Sequence, residues 1–176
     1  MIAVACDQAP MSEASFTRTS STFAMTCRVE IDIDATAEIV WSILTDAKGF
    51  PRWNSTVSGI DGHIREGEHL RLHVPGTKRT FTPTVSGVVA AQRMVWSDGV
   101  AAIFKGVRTF DLARRSGASI SFTMEERFSG VVFALTKAML PDFRPIFEAF
   151  ASDLKREAER VTRERDGERS TYGRDA

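Results

Sequence analysis

Between residues 56 and 128 the chain breaks into short runs rich in alternating apolar and polar residues. Turn candidates punctuate these runs at Glu66-Gly67, Pro75-Gly76, Ala91-Gln92, Asp98-Gly99 and Ser116-Gly117. Alternation of period two buries one face of a strand, and closely spaced Gly, Pro, Asn and Asp signals mark the joints of a meander. Strands are therefore expected near 57–65, 68–74, 78–89, 93–97, 102–114 and 118–128. Joined by short turns, they should lie antiparallel.

An earlier strand precedes them. In residues 26–34, Cys27, Val29, Ile31 and Ile33 fall on one face, and Arg28, Glu30 and Asp32 on the other. That brings the expected strand count to seven. Asp34 or Thr36 can cap the helix that follows, with Glu38 in its first turn, where the helix dipole favours an acid. Ile39, Val40, Ile43, Leu44 and Ala47 recur at helical spacing until Gly49, and Phe50-Pro51-Arg52-Trp53-Asn54 reads as a second short helical turn. After Ser129-Gly130, apolar residues at Val131, Leu135, Met139, Phe143, Ile146 or Phe147, Phe150 and Leu154 stripe one face of a long helix. Pro141 and Pro145 interrupt it, and each removes an N–H and crowds the preceding turn, so a kink or break is expected near 140–145. Residues 1–24 are Ser/Thr-rich without apolar period and are expected to form a flexible tail. That leaves a domain over 25–163 and a frayed polar end over 164–176. Met25, where the pattern begins, is an alternative start of the chain.

The totals narrow the function. One domain fits 176 residues. The 23 basic residues balance the 23 acidic ones, so no basic excess points to nucleic acid. The two cysteines, Cys6 and Cys27, form no CxxC pair, which argues against a disulfide framework or a zinc site. His69 and His73 share a strand face but lie about 13 Å apart along it, too far to chelate one ion. No apolar run reaches membrane-spanning length, and the N-terminus lacks the basic region of a signal peptide, so a cytoplasmic location is expected. No nucleophile elbow, zinc-protease, phosphate-loop or dinucleotide motif is present. No cofactor is expected.

The order strand, two short helices, six strands, long helix is that of the helix-grip fold. Four segments carry a resemblance: Asp34-Ala35-Thr36-Ala37-Glu38-Ile39-Val40-Trp41, Phe50-Pro51-Arg52-Trp53-Asn54, Phe104-Lys105-Gly106 and Glu126-Arg127-Phe128-Ser129-Gly130. Over residues 26–162 the chain resembles the SRPBCC or START-like superfamily, and within it the polyketide cyclase/dehydrase-like group. The resemblance implies an α+β fold in which a curved antiparallel sheet wraps a long C-terminal helix around an apolar cavity. It leaves the chemistry open, because the superfamily includes lipid and sterol carriers, hormone binders, aromatase/cyclases and quinone-associated proteins.

The last hairpin gives the candidate site. A turn at Ser116-Gly117 sets Phe110 opposite Met124, Leu112 opposite Phe122 and Arg108 opposite Glu126. All of these then share the face of Phe104, Ile120 and Phe128. That face is apolar apart from Arg108 and Glu126, while Lys105, Thr109, Asp111 and Arg127 occupy the other. Two inward charges should pair, either as an inert bridge at the sheet end or as a polar anchor for a ligand oxygen. Related proteins often carry His where Arg108 stands, and a fixed cation favours anion or enolate binding over proton shuttling. Phe81 and Val85 are expected to line the same cavity, the resemblance puts Trp53 near its mouth, and Leu135, Met139, Phe143 and Phe147 should close it. Trp96 reads as core. The expected partner is a small hydrophobic or amphipathic molecule bound by a monomer or homodimer. The alternatives are an aromatase/cyclase-type enzyme and an interaction or assembly factor with a vestigial cavity.

Overall fold

In a computed structural model the described residues are 13–77 and 80–172. The chain order is β1 (Ser15–Ser20), β2 (Ala24–Ile33), α1 (Ala37–Thr45), α2 (Phe50–Trp53), β3 (Gly59–Asp61), β4 (Arg71–His73), β5 (Thr80–Phe81), β6 (Thr84–Val89), β7 (Arg93–Val100), β8 (Phe104–Arg114), β9 (Ile120–Ser129), α3 (Val131–Thr136), a single 3-10 turn (Lys137–Met139) and α4 (Arg144–Tyr172). Two antiparallel sheets result among the described residues: six strands in the order β1-β2-β9-β8-β7-β6, and three in the order β3-β4-β5.

The α+β fold, an antiparallel sheet against a long C-terminal helix, is the one the pattern predicted. Its strands differ in number. The single strand expected over 78–89 is two, parted at Pro83, with β5 pairing β4 and β6 pairing β7. Proline donates no ladder bond, but its carbonyl still accepts from Leu70 N at 2.9 Å, and the chain changes sheets there. The turn expected at Asp98-Gly99 falls at 101–103 instead, because β7 runs on to Val100.

Residues 15–20, expected to belong to a tail, form an edge strand paired with β2 from Ser15–Glu30 to Ser20–Met25. Thr and Ser serve well enough on a half-exposed edge, and the lone apolar residue, Phe16, meets Phe147 of α4 edge-on at 5.8 Å. The C-terminal region is also corrected. Helix α4 continues to Tyr172 instead of fraying after 163. The stripe from 131 onward is split, with α3 separated from α4 by an unwound stretch over 140–143 that contains Pro141, while Pro145 sits in the first turn of α4. The first twelve residues, within the expected tail, and the last four lie outside the described residues.

Alternation holds where burial is one-sided. Along β2 every second residue from Met25 to Ile33 is buried. On α4, Phe147, Phe150, Ala151, Leu154 and Ala158 bury one face against that sheet. Thr36 caps α1, its hydroxyl accepting from Ile39 N at 3.4 Å. The loop after α2 is tied to α4 by Asp153, whose carboxylate accepts from Ser55 N at 2.7 Å, Ser55 Oγ at 2.6 Å and Arg156 at 2.6 Å. Burial opposes ionisation of this carboxyl, but the Ser55 and Arg156 bonds outweigh it and hold its pKa below the usual aspartate range.

Candidate functional site

The concave face of the large sheet is organised in rows that cross the strands. One row runs Val85, Trp96, Arg108, Glu126, Cys27 through direct register partners on β6, β7, β8, β9 and β2. The next runs Met94, Phe110, Met124, Val29. The pairing of Arg108 with Glu126, Phe110 with Met124 and Leu112 with Phe122 is the register expected from the turn at Ser116-Gly117.

Arg108 Nε and Nη2 both donate to Glu126 Oε2, at 3.1 and 2.6 Å. The side chains keep 21% and 14% of their exposure, so the pair sits at the wet border of an apolar face. The guanidinium lies 5.8 Å from the centre of the Phe147 ring, which adds a cation–π contact. Gly106, two register pairs nearer the sheet end, leaves the room beside Glu126 open: a Cβ there would come within 3.7 Å of Oε1. Opposite Glu126, burial pushes the Cys27 thiol pKa up, so it remains a neutral thiol and an unpromising nucleophile.

Trp96 is core, as expected, and it is also more. Its ring meets Phe110 at 4.9 Å, and its indole N–H is buried with no acceptor among the described residues. The Trp53 indole N–H and one amide N–H donor group of Asn54 share that condition. Trp96 is the direct cross-strand partner of Arg108, so the two residues belong to one row of the concave face. The strand parity identified the position of Trp96. An unpaired donor is a property of packing that no sequence pattern announces.

The other candidates divide into three groups. Phe110, Phe122 and Met124 are fully buried, and the two phenylalanines form with Phe50, Trp53 and Phe150 a continuous set of ring contacts in the deep part of the face. Trp53, expected near a mouth, is therefore an interior residue. Val85 is buried opposite Trp96, whereas Phe81 stands on the smaller sheet opposite Leu72. Phe147 lies beside Arg108, and Phe143 meets Phe147 edge-on at 6.5 Å. Phe143 stacks on Phe128 at 5.1 Å, and Phe104 meets Phe128 at 6.3 Å. Leu135 and Met139 do not join them. They are 78% and 85% exposed, because the break before α4 turns this part of the stripe outward.

Outside this face, a surface cleft of about 700 Å³ opens between the small sheet and β6–β7, lined by polar residues including Asp61, His69, Arg71 and Asp98. His73 bonds Asp61 and His69 bonds Thr84, and no cluster of metal-ligating side chains occurs among the described residues. No helix there is long and apolar enough to cross a membrane.

Comparison with known proteins agrees with this architecture. Curated proteins yield no sequence relative. Among solved structures, the Zhui aromatase/cyclase from Streptomyces superposes with a TM-score of 0.65 at 15% identity, covering 79% of this chain and 96% of that one. Norcoclaurine synthase from Thalictrum flavum, a point mutant in complex with a transition-state analogue, gives 0.61 at 13% identity over 82% and 99%. A START superfamily protein from Mycobacterium smegmatis gives 0.56 at 17% identity over 77% and 98%. At such identities the likeness is one of fold. The sequence itself matches the family described as polyketide cyclase/dehydrase and lipid transport over residues 24–159, the whole of the large sheet from β2 onward together with the buried part of α4, and the chain belongs to that family.

Proposed function

We propose that this protein binds a small apolar or amphipathic molecule at the Arg108 end of the concave face, with the guanidinium meeting an oxygen of that molecule. The observation that carries the reading is the Arg108–Glu126 pair: a fixed cation on an otherwise apolar face, with Nε and Nη2 bonded to one carboxylate oxygen and the guanidinium beside the Phe147 ring. Apolar walls with a few convergent polar groups are the usual make-up of a small-molecule site. The ring-packed deep part of the face leaves the better opportunity near Phe104, Phe128 and Phe143, where the rings are only partly covered. The family's description, which joins lipid transport with cyclase chemistry, supports a ligand of this class.

A second reading is favoured by the Trp96 indole. An unbonded indole donor in the same cross-strand row as the Arg108 cation would serve an enolate oxygen, with the neighbouring rings holding a reactive chain in place. The Zhui aromatase/cyclase shares the fold and keeps this chemistry within range.

Displacement of an apolar fluorescent probe tests the first reading, with fatty acids, sterols and aromatic polyketides as competitors. Arg108→Met should weaken an aromatic carboxylate about tenfold or more, the value of a charge-assisted hydrogen bond, and leave its neutral hydrocarbon analogue nearly unchanged. Equal loss for both ligands would sink the anchor role. Absence of probe binding to the folded protein would sink the binding reading itself. Cyclisation of a model poly-ketone by the native chain and not by Arg108→Met would decide for the enzyme.

A further inference from the structure

Arg108 and Glu126 satisfy each other only in part. Their two hydrogen bonds leave from Nε and Nη2 and converge on Glu126 Oε2. Arg108 Nη1 and Glu126 Oε1 make no hydrogen bond among the described residues. The buried side-chain donors and acceptors without a partner there are those of Trp53, Asn54 and Trp96, so neither Nη1 nor Oε1 is walled off from solvent. A guanidinium that gripped both carboxylate oxygens would leave no such opening. As built, the pair presents a free donor and a free acceptor to whatever lies beside it.

Beside Oε1 the sheet keeps a space. Gly106 shares the concave face with Arg108 and is in direct register with Phe128. A Cβ on Gly106 would meet Oε1 at 3.7 Å and the edge of the Phe128 ring at 3.9 Å. These are ordinary contact distances, and the residue is not among those with positive φ, so neither crowding nor backbone geometry demands a glycine here. The missing side chain leaves room for a small ligand group between a carboxylate oxygen and an aromatic edge. The charged neighbours decide which group suits it. Glu126 already compensates Arg108, and Asp98, a second carboxylate, is the register partner of Gly106 on β7. Cys27, across from Glu126 on β2, stays a neutral thiol. Lys105 and Arg127 stand at the opposite parity, on the other face of the sheet. Acceptors therefore outnumber donors on the Gly106 side, which disfavours another anionic oxygen and suits a hydroxyl that donates.

We propose that the molecule bound at this site carries two oxygens of different kinds: a carbonyl or carboxylate oxygen that accepts from Arg108 Nη1, and a nearby hydroxyl that occupies the Gly106 gap and donates to Glu126 Oε1. The assignment rests on the binding proposed above and names its chemical class, a hydroxylated carbonyl or carboxyl compound with an apolar body. A plain fatty acid meets the arginine with its carboxylate but leaves Oε1 to water. A hydroxylated ligand takes both groups, with its apolar part against the Phe128 edge and the Phe147 ring. A site that holds a polar group ready for a ligand hydroxyl discriminates against the analogue lacking it, because that group is then left unpaired. Glu126 thus selects among ligands as well as holding Arg108, and the absence of a side chain at position 106 sets which hydroxyls reach it.

Displacement of the apolar probe by naphthoate and by its isomers with a hydroxyl ortho or meta to the carboxylate tests the selection. The best isomer is expected to bind about tenfold more tightly than naphthoate, the worth of one hydrogen bond to a charged group. Gly106→Ala fills the gap with a methyl at an ordinary distance from Oε1, so the variant should keep the native circular dichroism spectrum and lose the preference. Gly106→Ser places a hydroxyl of the chain's own in the gap and should lose it too. Naphthoate bound with no isomer preferred overturns the hydroxyl selection and leaves the binding itself standing. A preference that both Gly106 variants retain also overturns it, because the ligand hydroxyl then sits elsewhere. Native chain that binds none of these naphthoates overturns the binding and the selection together. Arg108→Met separates the two further: it acts on the affinity for naphthoate itself, whereas the Gly106 variants act on the difference between naphthoate and its hydroxylated isomers.

Discussion

The two ends of the concave face are built from the same strands and differ in nearly everything else. Toward Leu112 and Ile120 the face is closed: Phe110, Phe122 and Phe150 are at most 1% exposed, and Phe150 alone makes ring contacts with Phe50, Trp53, Phe110 and Phe122. Toward Phe104 and Phe128 the rings are half-covered, a charged pair interrupts the apolar surface, and the helix that would cover them is broken. Close packing serves stability, and relief from it leaves room for a ligand. The α3–α4 break separates the two regimes. Where α4 is continuous it seals the face, and where Pro141 and Pro145 prevent continuity the face stays open.

The sharpest test of that contrast compares two phenylalanines of the same C-terminal region. Phe150→Ala should cost about 3–5 kcal/mol, because it removes the ring on which four others converge. Phe143→Ala, which leaves a half-exposed contact with Phe128, should cost about 1 kcal/mol. Urea denaturation measures both. Equal losses would mean that the open end is packed as firmly as the closed one, and the comparison would break.

A smaller effect concerns the sheet edge beside the open end. Removing residues 1–20 deletes β1, its six-residue pairing with β2 and the Phe16 contact to Phe147. The expected loss is about 2 kcal/mol, or several degrees in thermal midpoint, from the lost apolar burial and ladder bonds. An unchanged midpoint would return this segment to the status of a tail.

The charged pair should lie in between its two neighbourhoods. A dry pair loses about 3–5 kcal/mol when one partner is removed, but exposures of 21% and 14% admit water, so Arg108→Met and Glu126→Gln should each cost about 1–2 kcal/mol. The double variant should recover part of that loss, as coupled neighbours do. Additive losses would show that the two residues act independently, despite the two bonds between them.

Which of these features the sequence disclosed follows from the physics that fixes each. Register and facing were legible because strand parity is strict: one turn, at Ser116-Gly117, was enough to align Arg108 with Glu126 and Leu112 with Phe122. Parity also drew Phe81 and Val85 onto one strand, and there it misled, since Pro83 moves the chain to a second sheet. Strand β1 was hidden because an edge strand needs only one buried side chain, and a single Phe among Ser and Thr makes no period. The unpaired Trp96 donor depends on what surrounds it in three dimensions and leaves no trace in one. The helical stripe through Leu135 and Met139 was a true 3.6-residue pattern whose meaning changed at the prolines.

That change of meaning supplies the last prediction, the one with the smallest expected effect. A residue on the core side of a continuous helix would cost about 2–5 kcal/mol on truncation of a Leu or Met. Leu135 and Met139 are instead 78% and 85% exposed, on the solvent side of α3 and the turn that follows it. Leu135→Ser and Met139→Ser should therefore each change the unfolding free energy by no more than about 0.5 kcal/mol, the range of ordinary surface substitutions. Serine lowers helix propensity slightly, which sets the sign of the small loss expected at Leu135. Chemical denaturation with both single variants measures it. A cost above about 2 kcal/mol at either site would mean that α3 folds back over Phe104, Phe128 and Phe143 in solution, making the C-terminal segment the single lid that the unbroken stripe suggests. The open end would then be a closed one, and the contrast between the two ends would disappear.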